Sequence, residues 1–256
     1  MSEPLLLVTG AASGIGRAVA YAAARRGQPV VLCDRDLAGL RATESHIAAS
    51  VAAPAWSYPC DAADGDAVRA LVVEVERDRG PIAQLALCAG VFAQTSLLDP
   101  DASAFQACLG SNTLGVLHFI QHVAAAMVQR GRGGAVVTVA SNAASTPRIG
   151  MGAYAASKAA AVALTRCAGL ELASHRIRCN VVSPGSTDTP MQRALWHDER
   201  GAARVIAGDP TQFRLGIPLG RIASADDVAQ AVCFLLSDAA RHITMQELTV
   251  DGGATF

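Results

Sequence analysis

Tyr154 and Lys158 stand four residues apart, a spacing that sets both on one face of a helix. Ser141 closes a valine-rich run upstream of them. These three residue types suit one reaction. A phenol, with an ordinary pKa of about 10, is a poor base at neutral pH. An ammonium beside it favours the phenolate and lowers that value. The phenolate then removes the proton of a substrate hydroxyl, the serine hydroxyl holds the same oxygen, and the carbinol carbon is free to give up hydride. Lys158 is the only lysine; every other residue among the 21 Lys and Arg is arginine. A planar guanidinium is a poor substitute for a compact ammonium on a flexible stem, so the exception marks a position with its own requirement.

Hydride needs an acceptor, and the sequence offers a place for one. Thr9-Gly10-Ala11-Ala12-Ser13-Gly14-Ile15-Gly16 follows a short apolar run and opens a helical pattern. Glycines there let the chain turn tightly and bring the backbone close to a pyrophosphate at the helix N-terminus. Gly10, Ser13, Gly14, Ile15 and Gly16 are the expected contacts. The spacing is Gly-x-x-x-Gly-x-Gly rather than the commoner Gly-x-Gly-x-x-Gly. Asp34 ends the next apolar run, where an acidic residue can accept hydrogen bonds from the adenosine ribose. Its carboxylate repels a 2′-phosphate, which favours NAD over NADP, while the neighbouring Arg35 would attract one. Asp61 suits either an adenine contact or the start of a helix.

Those residues need a frame. The runs Leu5–Thr9, Pro29–Cys33, Ala55–Tyr58, Ile82–Cys88, Gly134–Ala140, Ile177–Ser183 and Glu247–Val250 read as strands. Gly14–Arg26, Leu37–Ser50, Asp64–Arg79, Ser111–Arg130, Ala153–Ser174 and Ala225–Ser237 read as helices. Apolar strands separated by helices predict an α/β fold: a single Rossmann-like, doubly wound parallel sheet of about seven strands with helices on both faces. No linker or repeat divides residues 1–256, so the reading is one domain. Ligands bind beyond the carboxyl ends of strands in such a sheet, which is where Ser141 falls. Pro184–Gly220 is long and rich in Pro, Gly, Thr and Asp, the character of a substrate lid, expected over about residues 186–216.

Composition removes other functions. A net charge of -1 and the lack of a basic run argue against nucleic-acid binding. At 51% hydrophobic and 17% charged, the chain can build a substantial core. No apolar stretch reaches the roughly 18–20 residues of a membrane span, and the N-terminus lacks a signal-peptide pattern. Seven scattered cysteines without Cys-x-x-Cys fit thiols in a reducing compartment rather than a disulfide frame or a zinc site. The histidines show no ligand spacing. The expectation is a cytoplasmic protein without a metal.

Together these motifs resemble those of the classical short-chain dehydrogenase/reductase family, from the Thr9–Gly16 turn to Val250-Asp251-Gly252-Gly253. The resemblance implies Ser141, Tyr154 and Lys158 as catalytic, with Tyr154 and Lys158 also touching the cofactor. It adds Asn112 as the anchor of a water-linked proton relay from Lys158. It implies further cofactor contacts at Ala89, Gly90, Pro184, Gly185, Thr187 and Thr189. The family's Asn-Asn-Ala-Gly after the fourth strand reads Leu87-Cys88-Ala89-Gly90 here, so the asparagine that ties neighbouring strands is missing. The segments Thr138–Ala144, Thr146–Met151, Arg178–Thr189, Met191–Arg193 and Leu215–Gly220 resemble the subfamily of 2,3-dihydro-2,3-dihydroxybenzoate dehydrogenases, which serve catecholate siderophore synthesis.

That narrower resemblance implies a small anionic ring alcohol as substrate. An arginine fork matches its carboxylate, and Arg148, Arg193 or both suit that place. Met151, Met191 and Phe213 suit apolar walls for the ring, with core packing the competing reading. Three alternatives stay open: a dehydrogenase for another cyclic hydroxy acid such as a dihydro-hydroxyanthranilate, a ketoreductase, and a non-catalytic cofactor sensor. Ala159–Leu170 is apolar on nearly every side, so a second partner beyond the sheet should cover it. The family resemblance implies a homotetramer.

Overall fold

The structure, a computed structural model, describes residues 4–98, 101–196 and 198–255. The first three residues of the N-terminal reading and His197 of the histidine reading lie outside these. In chain order the elements are β1 Leu5–Thr9, α1 Gly14–Ala24, β2 Val30–Asp34, α2 Leu37–Ser50, β3 Ala55–Pro59, α3 Gly65–Asp78, β4 Ile82–Leu87, α4 Ala102–Cys108, α5 Gly115–Arg130, β5 Gly134–Val139, α6 Gly152–Leu172, β6 Ile177–Pro184, β7 Thr187–Asp188, α7 Pro190–Arg193, α8 Gly201–Ala207, β8 Ala223–Ser224, α9 Ala225–Leu236 and β9 Glu247–Val250. Seven strands form one sheet in the order β3-β2-β1-β4-β5-β6-β9, parallel throughout. This is the expected doubly wound sheet.

Its strands are apolar because both faces are covered. Along β1, Leu6 and Val8 point into a core shared with α1, α2 and α9. Leu5 and Leu7 point the other way, into a core with α3, α5 and α6. Phe119 of α5 and Leu40 of α2 are fully buried, one on each side. Burying such a side chain is worth about 1.5–3 kcal/mol. Helix starts are marked by carboxylates: Asp36, Asp64 and Asp101 each accept hydrogen bonds from backbone N–H groups of the first turn. Ser224 and Asp227 form a reciprocal capping box on α9.

Most boundaries fall within two residues of the sequence reading. The long central helix differs. It begins at Ala102 rather than Ser111, and Leu109–Leu114 between α4 and α5 is π-helical. Small alanines and polar residues give the first turns little apolar periodicity, so the pattern was silent there. Asp101 nevertheless starts the helix, accepting from the N–H groups of Ser103 at 2.9 Å and Ala104 at 3.2 Å. A π segment widens the helix locally and often lies at functional sites; this one carries Asn112.

Candidate active site

The strand order reverses between β1 and β4, and a cavity of about 270 Å³ opens beyond their carboxyl ends. Gly10 turns the chain there with φ +67°, and a β-carbon on it would lie 2.8 Å from the Ala89 nitrogen. α1 begins at Gly14, so its first-turn N–H groups, unpaired within the helix, lie at the cavity. Gly10, Ser13, Gly14, Ile15, Gly16, Asp34, Asp61, Ala89, Gly90 and Thr189 line it. Tyr154, Lys158, Pro184, Gly185 and Thr187 lie outside its lining. Asp34 accepts hydrogen bonds from the N–H groups of Ala12 at 3.2 Å and Asp36 at 3.1 Å, which fix its carboxylate beside Arg35. Asp61 accepts from Ala63 N at 2.9 Å, while α3 is capped by Asp64, so the helix-start reading of Asp61 falls away. Backbone donors at a helix start, with the only carboxylates of the lining set at β2 and beyond β3, fit a dinucleotide.

Sequence reasoning missed one tie. The Thr9 hydroxyl accepts hydrogen bonds from the N–H groups of Cys88 at 3.0 Å and Ala89 at 3.1 Å, joining the ends of β1 and β4. It joins strands where the family's asparagine is missing. Cys88 itself is half-buried, and loss of solvation pushes its thiol to about 12.

Ser141 follows β5, and Tyr154 and Lys158 sit on successive turns of α6. All three are buried. The Ser141 hydroxyl lies within hydrogen-bonding reach of the Tyr154 hydroxyl and lowers its pKa. Lys158 Nζ donates to the Val139 carbonyl at 2.9 Å and stands 5.8 Å from the centre of the Tyr154 ring. The expected lowering of the phenol by the ammonium differs from what this geometry gives. Burial dominates and holds Tyr154 above its ordinary value, with Ser141 opposing it. Burial also lowers Lys158, to about 8. The ammonium is engaged with a carbonyl rather than with the phenol oxygen.

Gly90 lets these parts meet. A β-carbon there would lie 2.9 Å from Asn112 Oδ1 and 3.2 Å from Lys158 Nζ. Asn112 is completely buried. Its Oδ1 accepts from Val91 N at 2.8 Å, and its Nδ2 donates to Val91 O and to Ser157 Oγ, both at 2.9 Å. The side chain thus braces the loop after β4 against α6.

The substrate-side candidates separate. Met151 packs into a small cluster with Tyr154 and Cys108, as does Phe92, which was not singled out. The rings of Phe92 and Tyr154 are 5.1 Å apart. Met191 lines the cavity at the glycine turn instead. Arg193 makes a two-pronged ion pair with Asp188, at 2.5 and 2.8 Å. Phe213 is 90% exposed. Arg148 is half-buried just before α6, and among the described residues it makes no side-chain hydrogen bond or ion pair.

Comparison with known proteins places this geometry. A short-chain type dehydrogenase/reductase from Mycobacterium marinum superposes with a TM-score of 0.90 at 32% identity, covering 99% of this chain and 96% of that one. A family model described as enoyl-(acyl carrier protein) reductase matches residues 10–255. The chain belongs to the short-chain dehydrogenase/reductase family. Its membership makes it an oxidoreductase that works with a nicotinamide cofactor. Within the family it is 45% identical over 251 residues to 2,3-dihydro-2,3-dihydroxybenzoate dehydrogenase of Bacillus subtilis, covering 98% of this chain and 95% of the relative. It is 43% identical over 250 residues to the vibriobactin-specific 2,3-dihydro-2,3-dihydroxybenzoate dehydrogenase of Vibrio cholerae, with 98% and 95% covered.

Proposed function

We propose that this short-chain dehydrogenase oxidises 2,3-dihydro-2,3-dihydroxybenzoate to 2,3-dihydroxybenzoate with NAD, in the cytoplasm and in the service of catecholate siderophore synthesis. The observation that carries the substrate is Arg148, a half-buried guanidinium without a partner among the described residues. Met151 N donates to its backbone carbonyl at 3.2 Å, and Met151 packs with Tyr154. A cation so placed suits a carboxylate on the ring that carries the reacting hydroxyl. The two curated relatives, 45% and 43% identical, act on such an acid by name.

In this reading the Gly10–Gly16 turn, the start of α1 and Asp34 hold the dinucleotide, and the carboxylate of Asp34, held in place by two backbone N–H groups, favours NAD over NADP. The bound nicotinamide supplies one thing, a place for the hydride of the ring carbinol carbon. Ser141 donates a hydrogen bond to the substrate oxygen. Tyr154 takes the proton of that hydroxyl. Lys158 binds the nicotinamide ribose and passes the proton outward. Asn112, its amide held by Val91 and Ser157, anchors the water of a proton relay beyond Lys158. The ring ketone tautomerises to the catechol, and the gain of aromaticity draws the reaction toward oxidation. Phe105 of α4, Leu114 of the π-helical segment, Leu117 of α5 and Leu170 of α6 are exposed apolar side chains, which suits burial in a homotetramer.

The substrate reading is tested by Arg148→Ala. The expected outcome is a KM for the acid raised about tenfold or more, and a much smaller rise for a neutral ring diol. Equal effects on both substrates contradict the carboxylate role.

A further inference from the structure

We propose that Phe92 is a positioning residue for the base: its ring keeps water from the Tyr154 ring and holds the phenol toward Ser141. The inference rests on the reading of Tyr154 as the base and extends it to a residue outside the motifs.

The loop after β4 is fixed on either side of Phe92. Just before it, Val91 is held by Asn112, whose Oδ1 accepts from Val91 N at 2.8 Å and whose Nδ2 donates to Val91 O at 2.9 Å. Beyond it, Thr95 N donates to Gly150 O at 2.9 Å, and Thr95 pairs with Met151 in a single parallel bridge. Gly150 permits that approach: it adopts φ +74°, and a β-carbon on it would lie 3.2 Å from Gln94 Cγ. One end of the loop is thus tied to the π-helical segment that carries Asn112. The other is tied to Gly150 and Met151, directly before the helix that carries Tyr154.

What this clamp presents to Tyr154 is an aromatic ring. The two ring centres lie 5.1 Å apart and the planes are tilted by 60°, within the range of an edge-to-face pair. Such a pair prefers one relative orientation. α6 fixes the backbone of Tyr154 but not the torsions that aim its ring, and the contact with Phe92 limits those. Val91 lines the cavity at the glycine turn, so the loop runs between that cavity and the packing around Tyr154. Much of that packing is small, from Ala143, Ala153 and Cys108, and small side chains cannot close over a phenol ring by themselves. Phe92 is half-buried, while Tyr154 keeps only 8% of its surface exposed. Burial disfavours the phenolate. The ring that completes the burial therefore also sets the pH at which Tyr154 takes a proton.

The pH dependence of kcat and kcat/KM tests this on the full-length enzyme, with NAD and 2,3-dihydro-2,3-dihydroxybenzoate as substrates. Phe92→Ala should lower kcat about tenfold, since the base is then loosely aimed. It should also move the rising limb of kcat/KM to lower pH, because water that reaches the ring favours the phenolate. Phe92→Leu returns an apolar cover without the ring, so its limb should stay at the wild-type pH while kcat recovers only in part. Thermal melts accompany each variant; if Phe92→Ala does not fold, Phe92→Gln, nearer in volume and polar, should show the same downward move. An unmoved limb with only KM raised assigns Phe92 to substrate contact and overturns the proposal. A limb moved to higher pH, or an unchanged kcat, overturns it as well. Turnover that survives in Tyr154→Phe removes the base reading itself.

Discussion

Burial and hydrogen bonding pull on Tyr154 in opposite directions, and the balance sets when it acts. Burial disfavours the phenolate; the Ser141 hydroxyl favours it. Removing that hydroxyl in Ser141→Ala raises the Tyr154 pKa further, so the rising limb of kcat/KM should move to higher pH. A pH–rate profile checks this, and an unmoved limb contradicts the Ser141–Tyr154 bond. Lys158 carries the opposite lesson, for its burial costs stability. Its pKa falls to about 8 from the ordinary 10.5. Across that window the unfolded chain binds more protons than the folded one, so this group's contribution to stability rises with pH. Lys158→Met should abolish turnover yet melt no lower than wild type at neutral pH, and its advantage should shrink as pH climbs through the window. Thermal melts at two pH values measure it. The single lysine was visible at once in the sequence; the environment that makes it costly was not, because desolvation comes from neighbours distant along the chain.

Among the elements, the strands were legible because burial on both faces writes an unbroken apolar run, as in Leu5–Thr9. The glycine turn was legible because its φ values and close approaches exclude other residues. The π segment at Leu109–Leu114 was not, since a one-residue change of pitch leaves no mark on hydrophobic period. The segment over residues 186–216 was legible as long, but not its pairings: by type and position Arg193 and Phe213 suit a substrate, yet one is paired with Asp188 while the other faces solvent. Gly90 is where the elements converge, between Asn112 of the central helix and Lys158 of α6. Gly90→Ala should push both side chains outward and lower kcat by about tenfold to a hundredfold, since small misplacements at a reacting centre are costly. Steady-state kinetics beside a thermal melt separates this from simple unfolding; an unchanged kcat contradicts the convergence.

On the scale of the whole molecule, a doubly wound sheet carries a glycine turn at a helix start, a buried Ser-Tyr-Lys set after β5 and on α6, and just before α6 an arginine without a side-chain partner among the described residues. The first two identify the family and its hydride chemistry. On the proposed function the third distinguishes substrates, because a guanidinium held without a partner among the described residues rewards an anion and gives nothing to a neutral ring. NADH formation by the purified wild-type enzyme, followed with 2,3-dihydro-2,3-dihydroxybenzoate and with the same ring diol lacking its carboxylate, tests that claim most directly. The account predicts a kcat/KM for the acid at least about tenfold above that for the neutral diol. Equal turnover of the two, or turnover of neither with NAD bound, contradicts it.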